Sequence, residues 1–309
     1  MDTSNFYFKG EDGKEIFAVK WRSDQKPRAI LQIAHGMAEH IERYGDFAAF
    51  LVDRDIFVYG NDHRGHGKSE NRDEDRGYFG DKNGYETVVD DMKALTDVIK
   101  QDDPNVPVFL LGHSMGSFLS RRYIQRFGDE IGGIIFSGTG GHPGFMGKIG
   151  HYLASREVKK QGRRTPSQKL NSLTFGSYNN AFRPTRTDFD WLTRDEKEVD
   201  KYVEDPFCGN IFTAGFFEDF LGGLISLYDE DDKIPKDLPA YFLSGEKDPV
   251  GKDTKGVLQN IHQLQSVGLK DVSYKFYPGA RHEILNETNK HEVYEDIFHW
   301  INGHIKHAN

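Results

Sequence analysis

Cysteine is nearly absent from this chain: one residue, Cys208, in 309. A single thiol excludes an internal disulfide and a cysteine-rich metal site, so nothing asks for an oxidising compartment. Long hydrophobic runs are missing as well. No segment approaches the roughly 18 uninterrupted apolar residues of a membrane span, and the opening MDTSNFYFKGEDGKE has neither a basic leader nor the apolar core of a signal peptide. A cytoplasmic location is the expectation. Nor is there a basic excess: 40 Lys and Arg against 49 Asp and Glu give a formal charge of −9, which argues against nucleic acid or an anionic membrane as an electrostatic partner. The 13 histidines are scattered, and none stands with acids at the spacing of a recognised zinc motif. No metal and no cofactor are expected.

What is present is a rhythm of short apolar runs bounded by Gly, Pro or Asp: EIFAVKW, AILQIAHG, IFVYGND, VFLLGHS, GIIFSGTG, YFLSGEKD and VSYKFYPGA. Each is of strand length, and several are apolar throughout, as suits strands covered on both faces. Helical patterns lie between most of them. Val88, Met92, Leu95 and Ile99 form one apolar stripe, Val257, Ile261 and Leu264 another, and Val293, Ile297 and Ile301 a third. The alternation predicts a mainly parallel sheet with helices on both faces. The two earliest strands, near residues 5 to 21, have no helix between them and predict an antiparallel edge.

The rhythm stops after GIIFSGTG. Residues 141–233 show no convincing strand, and the pattern resumes at Pro239-Ala240-Tyr241. The chain therefore divides into a core, 1–140 with 234–309, and an inserted cap or lid, 141–233, packed over one end of the sheet. Inside the insertion, Thr193 and Glu196 stand at capping-box spacing and predict a helix start at Thr193.

The chemistry centres on VFLLGHSMGS, residues 108–117, where an apolar strand runs into Gly112-His113-Ser114-Met115-Gly116 and then into a helical pattern. A tight structural turn is one reading. A nucleophile elbow is the other: a serine that attacks a carbonyl must project from the sheet edge on a strained turn, which leaves room only for glycine on either flank. Such a serine needs a base, and the base needs an acid to hold its tautomer. Asp248 ends the strand of YFLSGEKDPVG and His282 follows the next strand in YKFYPGARHEI, in the chain order Ser, Asp, His that a strand-turn-helix nucleophile requires. Asp253 is the nearest rival acid, farther from the strand end. For an oxyanion hole, the Met115 amide follows the nucleophile, and Gly36 in LQIAHGMAEH lets the backbone turn so that the Met37 amide faces the site.

Five blocks in order, HGMAEHIERY (35–44), NDHRGHGKSE (61–70), GHSMG, SGEKDPVG and GARHEILNE, resemble the α/β-hydrolase family of monoacylglycerol lipases and lysophospholipases, especially its bacterial members. Within the insertion, FGSYNNAF and DPFCG add to the likeness. The resemblance implies an α/β-hydrolase fold with an eight-stranded, mainly parallel sheet, a Ser114, Asp248, His282 triad, and the Met37 and Met115 amides as oxyanion hole. It implies a place for Glu39 and Arg43 near a glycerol head group, with a purely structural ion pair as the alternative, and His113 joins them as a candidate substrate contact. Asp62, Arg64 and Ser69 are expected to brace loops near the site. The activity implied is hydrolysis of single-chain lipid esters, monoacylglycerol or lysophospholipid, through an acyl-enzyme. A short-chain esterase, an amidase or aminopeptidase on the same triad, and a non-catalytic binding protein are the alternatives.

The insertion is where substrate choice would lie. Phe145, Met146, Ile149, Tyr152 and Leu153, then Ile211, Phe212, Phe216, Phe217 and Phe220, could pack the cap on the core, line an acyl pocket, or form a patch that touches a lipid surface. Arg156, Lys159, Lys160, Arg163 and Arg164 make a local basic cluster, either solvated or set toward anionic head groups. A small lipid-derived ester is the expected partner, with transient membrane contact through the cap and no nucleic acid.

Overall fold

The computed structural model describes residues 1–70 and 75–305, so the last four positions of the expected core lie outside the described residues. Eight strands form one sheet: β1 (Asp2–Lys9), β2 (Glu15–Arg22), β3 (Ala29–Ala34), β4 (Ile56–Asn61), β5 (Val108–His113), β6 (Gly133–Ser137), β7 (Ala240–Gly245) and β8 (Val272–Tyr277). Their spatial order is β1-β2-β4-β3-β5-β6-β7-β8. β1 pairs antiparallel with β2 and β2 antiparallel with β4, while every pairing from β4 through β3 to β8 is parallel. The antiparallel edge and the mainly parallel sheet both stand as the sequence predicts.

The continuous apolar runs have a plain cause. Along β3, β5, β6 and β7 alternate side chains enter different cores, as the two-residue period of a strand requires. Ile30, Leu110, Ile134 and Phe242 belong to one core, while Leu31, Phe109, Ile135 and Leu243 belong to the other. Helices α2 (Gly84–Asp102), α3 (Met115–Phe127) and α8 (Lys255–Ser266) cover the first face. Helices α1 (Gly45–Val52) and α9 (Lys290–His304) cover the second. The three expected stripes are all buried, from Val88 to Ile99, Val257 to Leu264 and Val293 to Ile301. Each fully buried Val, Ile or Leu contributes about 1.5–3 kcal/mol of driving force.

Register aligns the ends of the strands. Ala34 pairs with Gly112, His113 with Ser137, and Gly245 with Tyr277. The loops after β3, β5, β7 and β8 therefore open on one edge of the sheet. That is where an open α/β sheet binds its ligands.

Between β6 and β7 the chain forms α4 (Gly144–Gln161), α5 (Gln168–Phe175), α6 (Glu196–Glu204) and α7 (Ala214–Ser226). The later aromatic group is packing rather than pocket: Phe212, Phe216, Phe217 and Phe220 are buried, with the Phe212 ring 4.8 Å from His66 and Phe216 4.5 Å from Phe79. The earlier group differs, because Phe145, Met146 and Tyr152 on α4 are 75%, 71% and 60% exposed. The basic cluster divides as well. Arg163 is paired with Glu218 and Asp219, and Arg164 with Asp75, leaving Arg156, Lys159 and Lys160 of that cluster exposed on α4, where Lys148 is exposed as well.

The capping box is a correction. Helix α6 begins at Glu196 under Asp195, whose carboxylate accepts from the Lys197 amide at 3.0 Å. Thr193 faces the other way: its hydroxyl donates to the Asn286 carbonyl at 2.9 Å and accepts from the Asp195 amide. A tertiary contact has taken the hydroxyl that the local spacing assigned to the helix.

Candidate active site

Strand β5 ends at His113, and Ser114 turns the chain with φ 51° and ψ −117° before α3 begins at Met115. A serine at positive φ is strained backbone, held only when its surroundings fix it. Here the Ser114 amide donates to the Ser137 carbonyl at 2.9 Å, and the Ser117 amide and hydroxyl both donate to the Ser114 carbonyl, at 2.9 and 2.5 Å. The flanking glycines are obligatory. A Cβ on Gly116 would run into the Ala34 carbonyl oxygen, and one on Gly112 into the Gly116 carbonyl and the Ser120 hydroxyl. Met115, 1% exposed, is the first residue of α3, so its N–H has no acceptor within the helix.

Asp248 lies in the loop after β7, fully buried, with its Oδ1 2.9 Å from His282 Nδ1 and accepting from the Val250 amide at 2.9 Å. Its second oxygen, Oδ2, is buried without a partner. Asp253 supports this loop through its backbone, donating its amide to the Asp248 carbonyl, while its own side chain is exposed. His282 comes from the loop after β8 and is 2% exposed. Burial opposes charging this ring, but the Asp248 carboxylate beside it outweighs burial, with Glu283 and Glu39 adding to it, so its pKa stands above the ordinary value.

His113 packs its ring 4.8 Å from that of His282, with Nδ1 3.2 Å from the Ser137 hydroxyl. Burial, reinforced by His282, pushes His113 down to about 4. Glu39 and Arg43 form a buried ion pair at 2.7 Å, and Arg43 also makes a two-pronged contact to Glu283 at 2.8 and 2.7 Å. Glu39 accepts in addition from the Gly36 amide at 2.6 Å and the Tyr44 hydroxyl at 3.0 Å, which fixes the loop carrying Met37. The bracing residues sit behind. Asp62 accepts from the Ile41 and Lys68 amides, Arg64 pairs with Asp91 and Asp12, and Ser69 bridges the Phe17 amide to the Asp62 carbonyl.

A cavity of about 320 Å³ opens on Gly36, Met37, His113, Ser114 and His282 from the core. Its far wall belongs to the insertion and includes Phe175, Phe189, Trp191, Leu192 and Tyr202. None of these was singled out from the sequence, nor was Glu283. The aromatic wall residues lie scattered over the segment with the least periodicity, whereas adjacency to His282 was the available signal for Glu283. The insertion also holds the His282 loop directly: the His282 amide donates to the Trp191 carbonyl at 3.5 Å and the Glu283 amide to the Leu192 carbonyl at 2.7 Å.

The arrangement offers an elbow serine, a buried imidazole paired with a carboxylate, a helix N-terminus beside the serine, and a partly open cavity of mixed polar and apolar lining. Comparison with known proteins agrees with that chemistry. The Hydrolase_4 family, described as serine aminopeptidase, S33, matches residues 25–289. A monoacylglycerol lipase of Mycolicibacterium smegmatis is 29% identical over 305 residues, covering 98% of each chain. The human monoglyceride lipase is 29% identical over 294 residues, covering 94% of this chain and 86% of its own. Among solved structures, a thermostable carboxyl esterase from Bacillus coagulans in complex with glycerol superposes with a TM-score of 0.91 at 30% identity, covering 99% of this chain and all of the other.

Proposed function

Because this chain belongs to the Hydrolase_4 family of α/β-hydrolases, we propose that it is a serine carboxylester hydrolase that cleaves monoacylglycerols and similar single-chain lipid esters. The observation that supports the reading is the cavity, where Ser114 and His282 face Phe175, Phe189, Trp191 and Leu192 among polar neighbours such as Asn171, Asn179 and Asp188. Whole-length likeness to monoacylglycerol lipases and to a glycerol-binding carboxyl esterase supports it.

In this reading His282 takes the Ser114 proton on Nε2, the ring nitrogen left free by Asp248, as the hydroxyl attacks the ester carbonyl. The Met37 and Met115 amides hold the oxyanion. The protonated His282 then delivers its proton to the leaving glycerol oxygen, and water repeats the cycle on the acyl-serine. Glu39 and Arg43 fix the Met37 loop, their charged groups being paired with Gly36, Tyr44 and Glu283, while Glu39 also lines the cavity. His113, held neutral, serves as a wall for the His282 ring.

Residues 141–233 are the cap. The exposed stripe of α4, with Phe145, Met146 and Tyr152 followed by Arg156, Lys159 and Lys160, is the face that meets a lipid surface transiently, apolar groups inward and cations at the head groups. Among the described residues no helix is long and apolar enough to cross a membrane. The cytoplasm remains the proposed location.

The test is a hydrolysis profile of the purified protein against monoacylglycerol, lysophosphatidylcholine, p-nitrophenyl esters from acetate to palmitate, and aminoacyl p-nitroanilides, with Ser114→Ala as control. Monoacylglycerol turnover with a maximum at medium or long chains is expected. Cleavage of the anilides without turnover of monoacylglycerol would overturn the substrate assignment.

A further inference from the structure

The loop that carries Met37 meets the insertion at a second point, outside the cavity. There His40 from the core and Asp205 and Cys208 from the turn after α6 bring an imidazole nitrogen, a carboxylate oxygen and a thiol sulfur within 4.8 Å of one another. His40 Nε2 lies 2.8 Å from Asp205 Oδ2. On its other side, Nδ1 of the same ring lies 3.9 Å from Glu42 Oε2. His40 is buried, Asp205 and Cys208 are half-buried, and the Phe207 ring lies 5.6 Å from the imidazole and shields one side.

We propose that His40, Asp205 and Cys208 form a zinc-binding site that ties the Met37 loop to the cap. The donor set is the mixed nitrogen, sulfur and oxygen set that zinc prefers, whereas magnesium and calcium require several oxygens and accept no sulfur. Bonds of about 2.0–2.3 Å to a tetrahedral ion separate donor atoms by roughly 3.3–3.8 Å, so ligation asks for movements of about an ångström. A metal-bound histidine normally gives its other N–H to a carboxylate; Glu42 Oε2, paired with Lys68 at 2.6 Å, is the carboxylate nearest Nδ1 at 3.9 Å and would have to approach by about an ångström to accept that N–H. Three protein ligands leave the fourth position to water.

No sequence motif reveals this site, because His40 and Asp205 are 165 residues apart. The fold joins them. The same two segments are already stitched by backbone, with the Tyr202 hydroxyl and the Gly209 amide both donating to the Ala38 carbonyl, at 2.8 and 3.0 Å. Ala38 holds φ 60° next to Met37. A metal there would fix the spacing between the loop of the oxyanion hole and the end of α6. The proposal does not depend on the ester hydrolase reading, since it concerns binding.

Titration of chelator-treated protein with zinc, followed by calorimetry, should show one saturable site per chain with an affinity of roughly micromolar or tighter, and a higher thermal midpoint with zinc present. Cobalt at the same site should give the intense near-ultraviolet charge-transfer absorption of a thiolate ligand. Cys208→Ser should weaken zinc at least tenfold and remove that absorption, and Asp205→Asn, a partly exposed position, should weaken zinc without removing it. Absence of saturable binding below millimolar zinc would overturn the proposal, as would a Cys208→Ser protein that binds zinc like the wild type.

Discussion

The Trp191 indole lies 5.0 Å from the His282 imidazole, ring to ring, and the Trp191 carbonyl accepts the His282 amide. A residue of the insertion thus forms one wall of the proposed base. Phe175 and Tyr178 pack on the same indole. Trp191→Ala should lower kcat for acetate and palmitate esters alike, because it frees the base rather than merely enlarging the acyl site. Steady-state kinetics on both esters separate the two outcomes: a change confined to KM for the long ester would assign Trp191 to substrate alone.

Asp248 gives its His282-facing oxygen to Nδ1 and keeps the other buried without a partner. Asp248→Asn preserves shape but removes the charge and presents an amide that can favour the wrong imidazole tautomer. A fall in kcat of roughly 10³–10⁴-fold is expected, with the thermal midpoint little changed. Hydrolysis of p-nitrophenyl butyrate measures it, and a loss below tenfold would remove Asp248 from the proposed triad.

The direction of the His282 shift sets the acid limb of activity. In the proposed mechanism the neutral ring is the base, and Asp248 raises its pKa above the ordinary 6.5. Turnover should therefore fall as pH drops through a midpoint above 6.5. In a kcat/KM profile from pH 5 to 9, a midpoint below 6 would contradict the geometry.

Four other buried histidines carry the opposite sign. Burial holds His35 and His66 down to about 3, His113 to about 4, and His63 well below its usual value. Below about pH 6.5 the unfolded chain protonates these rings and the folded protein does not, so each costs up to roughly 1.4 kcal/mol of stability per pH unit. Burial raises Asp62 and Asp91 to about 6. Those two take up protons in the folded state between about pH 6 and 4 and offset part of the loss. Urea unfolding should show a net decline in stability from pH 7 to 5, and a flat profile would mean that the rings are not sealed as described.

Arg43 holds two buried carboxylates, Glu39 and Glu283, with 11% of its own side chain exposed. Arg43→Met should destabilise the fold by about 3–5 kcal/mol, the cost of stranding buried charge. Lys9→Ala, at the exposed pair with Glu15, should leave the urea midpoint unchanged. Equal effects from the two variants would count against a buried clamp.

Much of this protein is legible along the chain because its sheet obeys local rules. The continuous apolar runs of β3, β5, β6 and β7 follow from burial on both faces, and the three helical stripes follow from packing on that sheet. The expected site residues fall at strand ends, where turn chemistry marks them, and the fold brings Ser114, Asp248 and His282 to one edge. Thr193 shows where local reading stops, since its hydroxyl serves Asn286 instead of the helix. The cavity wall was not legible either. Phe175, Phe189 and Trp191 come from a segment whose aromatic residues divide between core packing and pocket, and only three-dimensional contacts sort them.

The buried histidines bear on where a proton can go. His35, His63 and His66 sit together behind the site, with ring centres 4.3 to 6.4 Å apart, and His113 touches His282. A cluster of imidazoles could act as a relay that carries protons away from the reacting atoms. Because burial keeps these four from charging, they form an insulator instead. In the proposed mechanism the proton leaving Ser114 passes to His282 and stays beside the leaving group that must receive it.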